Sequence, residues 1–296
     1  MKIHWQSIAD KITESNSQPF SIQHYSSVGG GCINTAYHIQ SESQNYFVKF
    51  NSVNKLSMFE AEAEGLLELA KANSVLVPQP ICTGVVEQQS YIVMEHLKLG
   101  GRGSMAEFAE QLVKLHRYTR HSTGASFGWH RENTIGSTLQ ENTPNDNWLQ
   151  FWNQHRLGFQ LSLAKQQGAS KNLLDKGERI QADLSCFFTG YEPQASLLHG
   201  DLWSGNYAFT DSGAPVIFDP AVYYGDREAD IAMTEIFGGF SADFYESYQS
   251  LWPLDDGYQV RKVLYNLYHI LNHFNMFGGG YESQAEGMCD RLLVNI

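Results

Sequence analysis

Apolar residues recur at two different spacings along this 296-residue chain, and the spacing changes near residue 100. In the first part short alternating runs dominate. Residues 21–28 and 35–40 predict strands on either side of Gly29-Gly30-Gly31, and Tyr46-Phe47-Val48-Lys49-Phe50 alternates as a half-buried strand. Two further strands are predicted at 81–87 and 90–96. Residues 3–15 and 57–72 carry helical spacing instead. Val77-Pro78-Gln79-Pro80 closes the second of these segments, because proline disfavours helical geometry in the residue before it.

Lys98-Leu99-Gly100-Gly101-Arg102-Gly103 reads as a linker, and the pattern after it is helical. Ser104-Met105-Ala106-Glu107 has capping-box spacing just before the periodic Phe108, Leu112 and Leu115. Helices are predicted near 147–167, 170–189, 226–237, 241–251, 258–277 and 284–294. Residues 197–219 read as a loop and a strand hairpin among them. The expectation is an α+β protein of two lobes with a cleft between them: residues 1–97 a small antiparallel sheet with one inserted helix, and residues 98–296 a larger, mainly helical lobe.

Composition narrows the functions available. Hydrophobic residues make up 42% and aromatic residues 13%, enough for a substantial core and against general disorder. The formal charge of −12 argues against binding nucleic acid through its phosphates. It suits a cationic substrate, although solubility alone explains acidity as well. The start of the chain has no signal-peptide h-region, and no apolar run approaches membrane-spanning length, so a cytoplasmic location without membrane contact is expected. Cys32, Cys82, Cys186 and Cys289 are scattered with no Cys-x-x-Cys pair, which fits free thiols better than a disulfide framework or a zinc site.

Chemistry concentrates near residue 200. There the chain reads His199-Gly200-Asp201-Leu202-Trp203-Ser204-Gly205-Asn206, and later Pro215-Val216-Ile217-Phe218-Asp219-Pro220. An Asp, an Asn five positions on and a second Asp closing an apolar run are the parts that phosphoryl transfer from ATP needs. Asp201 is the candidate catalytic base for a substrate hydroxyl. Asn206 and Asp219 offer hard oxygen donors to Mg²⁺. Taken singly, Asn206 also reads as a turn residue and Asp219 as a strand terminator. The ring of His199 is expected to fix the backbone around Asp201, and Asp230 to tie that loop down from a helix start.

In the front half, Gly29, Gly30 and Gly31 let backbone amides approach phosphate oxygens closely, with a plain hairpin turn as the alternative. Lys49 on the next strand is placed to contact the α- and β-phosphates, with an edge-strand lysine as the alternative. Its ammonium needs an acidic partner. Phe59, Ala63, Leu66 and Ala70 mark the buried stripe of the 57–72 helix, and Glu62 lies beside it, so Glu62 is preferred and Glu60 comes second. The backbone of Tyr91–Leu97 is the expected reader of the adenine edge. Trp203, Tyr223, Trp252 and His273 are candidates for the acceptor side, with core packing as the alternative.

Taken together, His199-Gly200-Asp201-Leu202-Trp203-Ser204-Gly205-Asn206, Asp219-Pro220-Ala221, Gly30-Gly31-Cys32-Ile33, Phe47-Val48-Lys49, Met58-Phe59-Glu60-Ala61-Glu62 and Val93–Leu97 resemble the fructosamine kinase (ketosamine-3-kinase) family. That family belongs to the aminoglycoside-phosphotransferase-like branch of the protein-kinase-like fold. The resemblance implies a bilobal kinase using ATP and Mg²⁺ to phosphorylate the sugar 3-hydroxyl of ketosamines, small or protein-borne, in deglycation repair. It assigns Asp201 as proton acceptor, Asn206 and Asp219 as magnesium ligands, Lys49 as a phosphate contact, and Glu95, His96 and Leu97 as the adenine site. Rival readings are a small-molecule kinase of the aminoglycoside or choline type and a non-catalytic nucleotide-binding protein. A monomer is expected, or a redox-linked dimer through Cys32.

Overall fold

The computed structural model describes residues 3–29, 34–118 and 126–296. The chain divides into two compact units, Met1–Gly103 with Ala208–Pro220, and Ser104–Tyr207 with Ala221–Ile296. Unlike the simple division at residue 97, the first unit takes in a second stretch of chain.

The first unit opens with α1 (Trp5–Asn16), then β1 (His24–Val28), β2 (Thr35–Gln40), β3 (Asn45–Ser52), α2 (Leu56–Ala70), β4 (Pro80–Val86) and β5 (Gln89–Glu95). The strands form one antiparallel sheet in the order β1-β2-β3-β5-β4. Strand alternation sorts its side chains. Tyr46, Val48 and Phe50 of β3 enter a core with Ile8, Ala9 and Ile12 of α1 and with Tyr91 and Val93 of β5. Lys49 therefore points to the opposite face, where α2 supplies Glu62.

The buried stripe of α2 is Met58, Phe59, Ala61, Gly65, Leu66 and Leu69: of the expected Phe59, Ala63, Leu66 and Ala70, Phe59 and Leu66 are buried and the two alanines only partly so. Glu62 falls within that stripe, not beside it. Val216 bridges Leu76, and Thr210 bridges Leu99, so the segment after residue 207 is secured to the sheet-bearing unit by backbone pairing. The sequence reading placed this segment with the helical part. Its short strand is too local in pattern to show which partner it would meet.

The second unit is mainly helical. Ser104 caps α3 (Met105–His116), its hydroxyl accepting from the Glu107 N–H at 3.2 Å as the capping-box spacing predicts. A small hairpin follows, β6 (Asn133–Ile135) and β7 (Thr138–Gln140). It was not predicted, since three-residue strands carry almost no periodicity. The expected 147–167 helix is present as α4 (Trp148–Trp152) and α5 (Phe159–Gln166) around a π-helical turn, Asn153–Gly158. Gly158 permits that wider turn, because a Cβ there would lie 2.5 Å from the Asn153 carbonyl oxygen. The expected 170–189 helix divides into α6 (Lys171–Ala182) and the 3₁₀ turn Leu184–Phe188.

β8 (Ala195–Leu198) comes next, followed by β9 (Tyr207–Phe209) paired with β10 (Pro215–Ile217). β11 (Tyr223–Asp226) then pairs antiparallel with β8 and runs directly into α7 (Arg227–Thr234). α8 (Ala242–Leu251), α9 (Tyr258–Phe277) and α10 (Tyr281–Leu293) complete the chain. α9 buries Leu264, Tyr265, Leu267, Ile270 and Leu271 completely and forms the axis of this unit's core. Cys82, Cys186 and Cys289 are free thiols, while Cys32 lies outside the described residues. Among the described residues no helix is long and apolar enough to cross a membrane.

Within this core a bidentate ion pair is fully buried. Arg261 Nε and Nη2 donate to the two carboxylate oxygens of Glu228 at 2.8 and 3.1 Å. Removing one partner of such a pair strands the other charge, whereas replacing both is tolerated. Arg261→Met is expected to lower unfolding free energy by about 3–5 kcal/mol in a urea titration, and the double variant Arg261→Met/Glu228→Leu to recover most of it.

Candidate active site

In the second unit β8 ends at Leu198, and the chain turns at once through His199, Gly200 and Asp201. Gly200 has φ +82°, and a Cβ there would sit 2.0 Å from the Ala221 carbonyl oxygen, so only glycine fits the turn. The next two links are backbone bonds. Ala221 N–H donates to the His199 carbonyl at 2.8 Å, and Trp203 N–H to that of Asp201 at 3.2 Å.

The buried carboxylate of Asp230, one turn into α7, fastens this loop from below. It accepts the His199 N–H at 2.7 Å and the Gly200 N–H at 2.8 Å. His116 Nε2, at the end of α3, lies 3.2 Å from the same carboxylate, and His116 Nδ1 lies 2.8 Å from the Tyr248 hydroxyl. Burial alone would raise the Asp230 carboxyl. Its hydrogen bonds from His116 and the Gly200 N–H, with the two nearby imidazoles, overcome that and hold it below the usual carboxylate range. Burial draws the His116 imidazole down. Sequence reasoning found Asp230 from its helix-start context but missed His116, which sits among apolar residues as any core histidine would.

Asp201 is half-buried. Its backbone N–H donates to His199 Nδ1 at 3.2 Å, so the imidazole ring carries its proton on Nε2 and braces the loop, as expected of His199. Asn206 donates from Nδ2 to the Asp201 carbonyl at 2.8 Å and to Asp201 Oδ2 at 3.1 Å. That orientation commits the amide nitrogen and leaves Oδ1 as an oxygen donor. Asp201 and Asn206, five positions apart, are thus brought together by the loop.

The first unit gathers a second constellation. Lys49 Nζ donates to Glu62 Oε1 at 2.6 Å and, by a shorter bond, to Asp219 Oδ1. Lys49 and Glu62 are nearly buried, while the Asp219 side chain is 47% exposed. Burial by itself would lower the lysine pKa. The Asp219 and Glu62 carboxylates outweigh it and hold the ammonium above its ordinary value, so Lys49 is charged at every physiological pH. Asp219 has φ +59°, a conformation that costs an ordinary residue about 1–3 kcal/mol and tends to persist at functional positions. Its second oxygen is available beside the one given to Lys49. Among the acids weighed as lysine partners, Glu62 is the one in contact. Asp219 as an additional partner was missed, because 170 residues separate it from Lys49.

Magnesium favours hard oxygen donors and takes few of them from protein. Asn206 Oδ1 and the second Asp219 oxygen are of that kind, so the donor chemistry fits the ion. Among the described residues, no group of three or more His, Cys, Asp or Glu side chains could hold a metal.

Glu95 ends β5, its N–H given to the Gln79 carbonyl at 2.8 Å. His96 N–H reaches the Asn45 carbonyl at 3.4 Å, and the His96 ring stacks on His38 with centroids 3.9 Å apart. Leu97 follows, half-buried and outside the strand. Gly29 is described and has open space where a Cβ would be, whereas Gly30, Gly31 and Cys32 lie outside the described residues. Of the acceptor-side candidates, Tyr223 is core, buried beneath the Arg156 guanidinium at 4.1 Å, and Trp252 stacks on Arg227 at 4.1 Å. Trp203 and His273 are partly exposed.

The family model for fructosamine kinase matches residues 4–295. A Synechocystis protein named "Probable ketoamine kinase" is 46% identical over 295 residues, covering 98% of this chain and 97% of its own. A chloroplastic protein-ribulosamine 3-kinase of Arabidopsis thaliana is 43% identical over 269 residues, covering 90% of this chain and 82% of its own. A crystal structure from Haemophilus somnus named "Putative fructosamine-3-kinase" superimposes with TM-score 0.88 at 31% identity, covering 98% of this chain and 97% of the other. Aminoglycoside phosphotransferases share the fold at identities near 15%.

Asp230→Asn keeps the shape of the loop anchor but turns one acceptor into a donor facing an N–H group. It is expected to cost about 1–3 kcal/mol of stability at pH 7, read by urea unfolding. The pH dependence follows from the depressed pKa. The native carboxylate contributes fully above the ordinary carboxyl pKa and loses that contribution as pH falls through its lower folded value. The stability gap between native and variant should therefore hold from pH 7 to 5 and narrow only in stronger acid.

Proposed function

The chain belongs to the fructosamine kinase family, and on that premise we propose that it transfers the γ-phosphoryl group of ATP to the sugar 3-hydroxyl of ketosamines, the fructose- or ribulose-type adducts that glycation leaves on amines. Glycated proteins and small ketosamines are both of this chemical class, and phosphorylation is the first step of their removal in deglycation repair. The observation that carries the reading is the Asp201–Asn206 pair: a half-buried carboxylate oriented by the amide whose oxygen is left for a cation. The fit of this chain to its relatives over nearly its whole length supports the substrate class.

The residues divide the work. Asp201 accepts the hydrogen bond of the sugar hydroxyl, aligns its oxygen with the γ-phosphorus and takes the proton as the new P–O bond forms. Asn206 fixes the carboxylate of Asp201 through Nδ2, and His199 and Asp230 fix its backbone. Lys49, held charged by Glu62 and Asp219, donates to the oxygens of the α- and β-phosphates. The backbone from Glu95 through His96 to Leu97 takes the adenine edge. Asn206 and Asp219 are the side chains that would hold Mg²⁺, which when bound neutralises charge on the phosphate oxygens. A family member with a Lys49, Asp201, Asn206 and Asp219 set has the parts a non-catalytic nucleotide binder commonly lacks.

Asp201→Asn removes the proton acceptor and leaves every nucleotide contact. Turnover with ATP and a fructose adduct should fall by about 10²–10⁴-fold. The dissociation constant for ATP, measured by calorimetry, should stay within about twofold, well under 1 kcal/mol. Turnover near the native value would remove Asp201 from this role.

A further inference from the structure

Phe237 is a bulky residue in the left-handed region, with φ +54°. Side chains of this kind rarely adopt that conformation, which costs on the order of 1–3 kcal/mol unless surrounding structure imposes it. The two residues after it, Gly238 and Gly239, also have positive φ, at +107° and +69°. Ser204, three residues beyond Asp201, donates its hydroxyl to the Phe237 carbonyl at 3.1 Å. The strained turn is thus tied to the loop that carries the proposed proton acceptor.

The strain presents a ring rather than burying one. Phe237 is only partly buried, and its ring lies edge-on to Trp203 with centroids 6.3 Å apart. The His273 ring is 4.8 Å from that of Phe237. His273 in turn meets Phe277, four residues on along α9, at 5.7 Å and Tyr281, at the start of α10, at 5.1 Å. Phe277 is 58% exposed. A continuous row of rings therefore runs from the Asp201 loop outward to solvent, and no ordinary core requirement accounts for its open outer end.

The row is also uncharged. His273 Nδ1 donates to the His269 carbonyl at 2.8 Å, and burial draws the His273 imidazole below its ordinary pKa. Neutral aromatic faces bind both hydrocarbon and cations, the latter through the ring quadrupole. A ketosamine is a sugar joined through its first carbon to a secondary amine that is cationic at neutral pH. The nitrogen of a ketosamine is separated from its 3-hydroxyl oxygen only by the first three sugar carbons, and the row begins at Trp203 on the loop that carries Asp201.

We propose that Phe237, His273, Phe277 and Tyr281 form the subsite for the amine half of the substrate, taking its hydrocarbon portion against their faces. This inference rests on the ketosamine kinase reading and deepens it: the enzyme selects substrates by the organic group on the glycated nitrogen as well as by the sugar. Amines bearing aryl or long alkyl groups, including side chains displayed on a protein, are the favoured class.

The test compares two fructose adducts of equal charge, one on methylamine and one on phenethylamine. The native enzyme should prefer the phenethylamine adduct by about tenfold in kcat/KM, the scale of one good apolar contact. Phe277→Ala, a change at an exposed position that leaves the fold intact, should collapse that ratio toward unity through KM of the phenethylamine adduct, and Phe277→Tyr should restore it. A native ratio near unity, or a ratio unmoved in Phe277→Ala, overturns the subsite while leaving the kinase reading in place. Failure of the native enzyme to phosphorylate either adduct overturns the kinase reading and the subsite with it.

Discussion

The buried carboxylate of Asp230 is the constraint on which the loop bearing the proposed catalytic base depends. A tight turn at the end of β8 leaves backbone N–H groups facing the interior, where an unpaired donor is costly. Asp230 accepts two of them, from His199 and Gly200. The turn it stabilises is open only to glycine at position 200. Once that backbone is set, His199 braces the Asp201 N–H, and Asn206 reaches back to the Asp201 carboxylate. The carboxylate proposed as the catalytic base is thus oriented by Asn206 and by a backbone that His199 and Asp230 hold, and the position of Asp230 derives from β11 running straight into α7. Behind Asp230, the His116–Tyr248 pair and Arg227 extend the polar network, with Arg227 donating to the Tyr248 hydroxyl at 3.2 Å.

The sheet-bearing unit solves a different electrostatic problem. A buried ammonium must be matched by acids, yet a polyphosphate site must remain attractive to anions. Lys49 is paired with one nearly buried carboxylate, Glu62, and one substantially exposed one, Asp219. The first stays as a fixed counter-charge. The second combines an open oxygen with a left-handed backbone, the features that suit it to the cation-holding role proposed for it. The unit's two stretches of sequence are needed together for this, since Asp219 enters from the segment after residue 207.

Much of this arrangement is legible in the sequence. Strand alternation identifies the face carrying Lys49, helical phase brings Glu62 forward over its neighbours, and the long-period helices α9 and α10 are readable from their apolar repeats. The spacing of Asp201, Asn206 and Asp219 announces phosphoryl transfer. What the sequence does not show is of two kinds. Three-residue strands such as β6 and β7 have no measurable period, and the π-helical turn at Asn153–Gly158 is a local geometric adjustment. Long-range partnerships are the other kind: Lys49 with Asp219, His116 with Asp230, and Glu228 with Arg261 each join residues that local patterns cannot connect. The same holds for Tyr223 and Trp252, whose aromatic character suited an acceptor pocket: Tyr223 is instead buried core against Arg156, and Trp252 is partly buried against Arg227.

The central claim is that these residues direct a phosphoryl group onto one particular sugar hydroxyl. Its most direct measurement is nuclear magnetic resonance of the products formed from ATP, Mg²⁺ and a fructose adduct labelled with carbon-13 at the third carbon. The account predicts ADP formed in step with a phosphate ester whose phosphorus couples to the labelled carbon. ADP release that does not depend on the adduct, or an ester at another position, would contradict it.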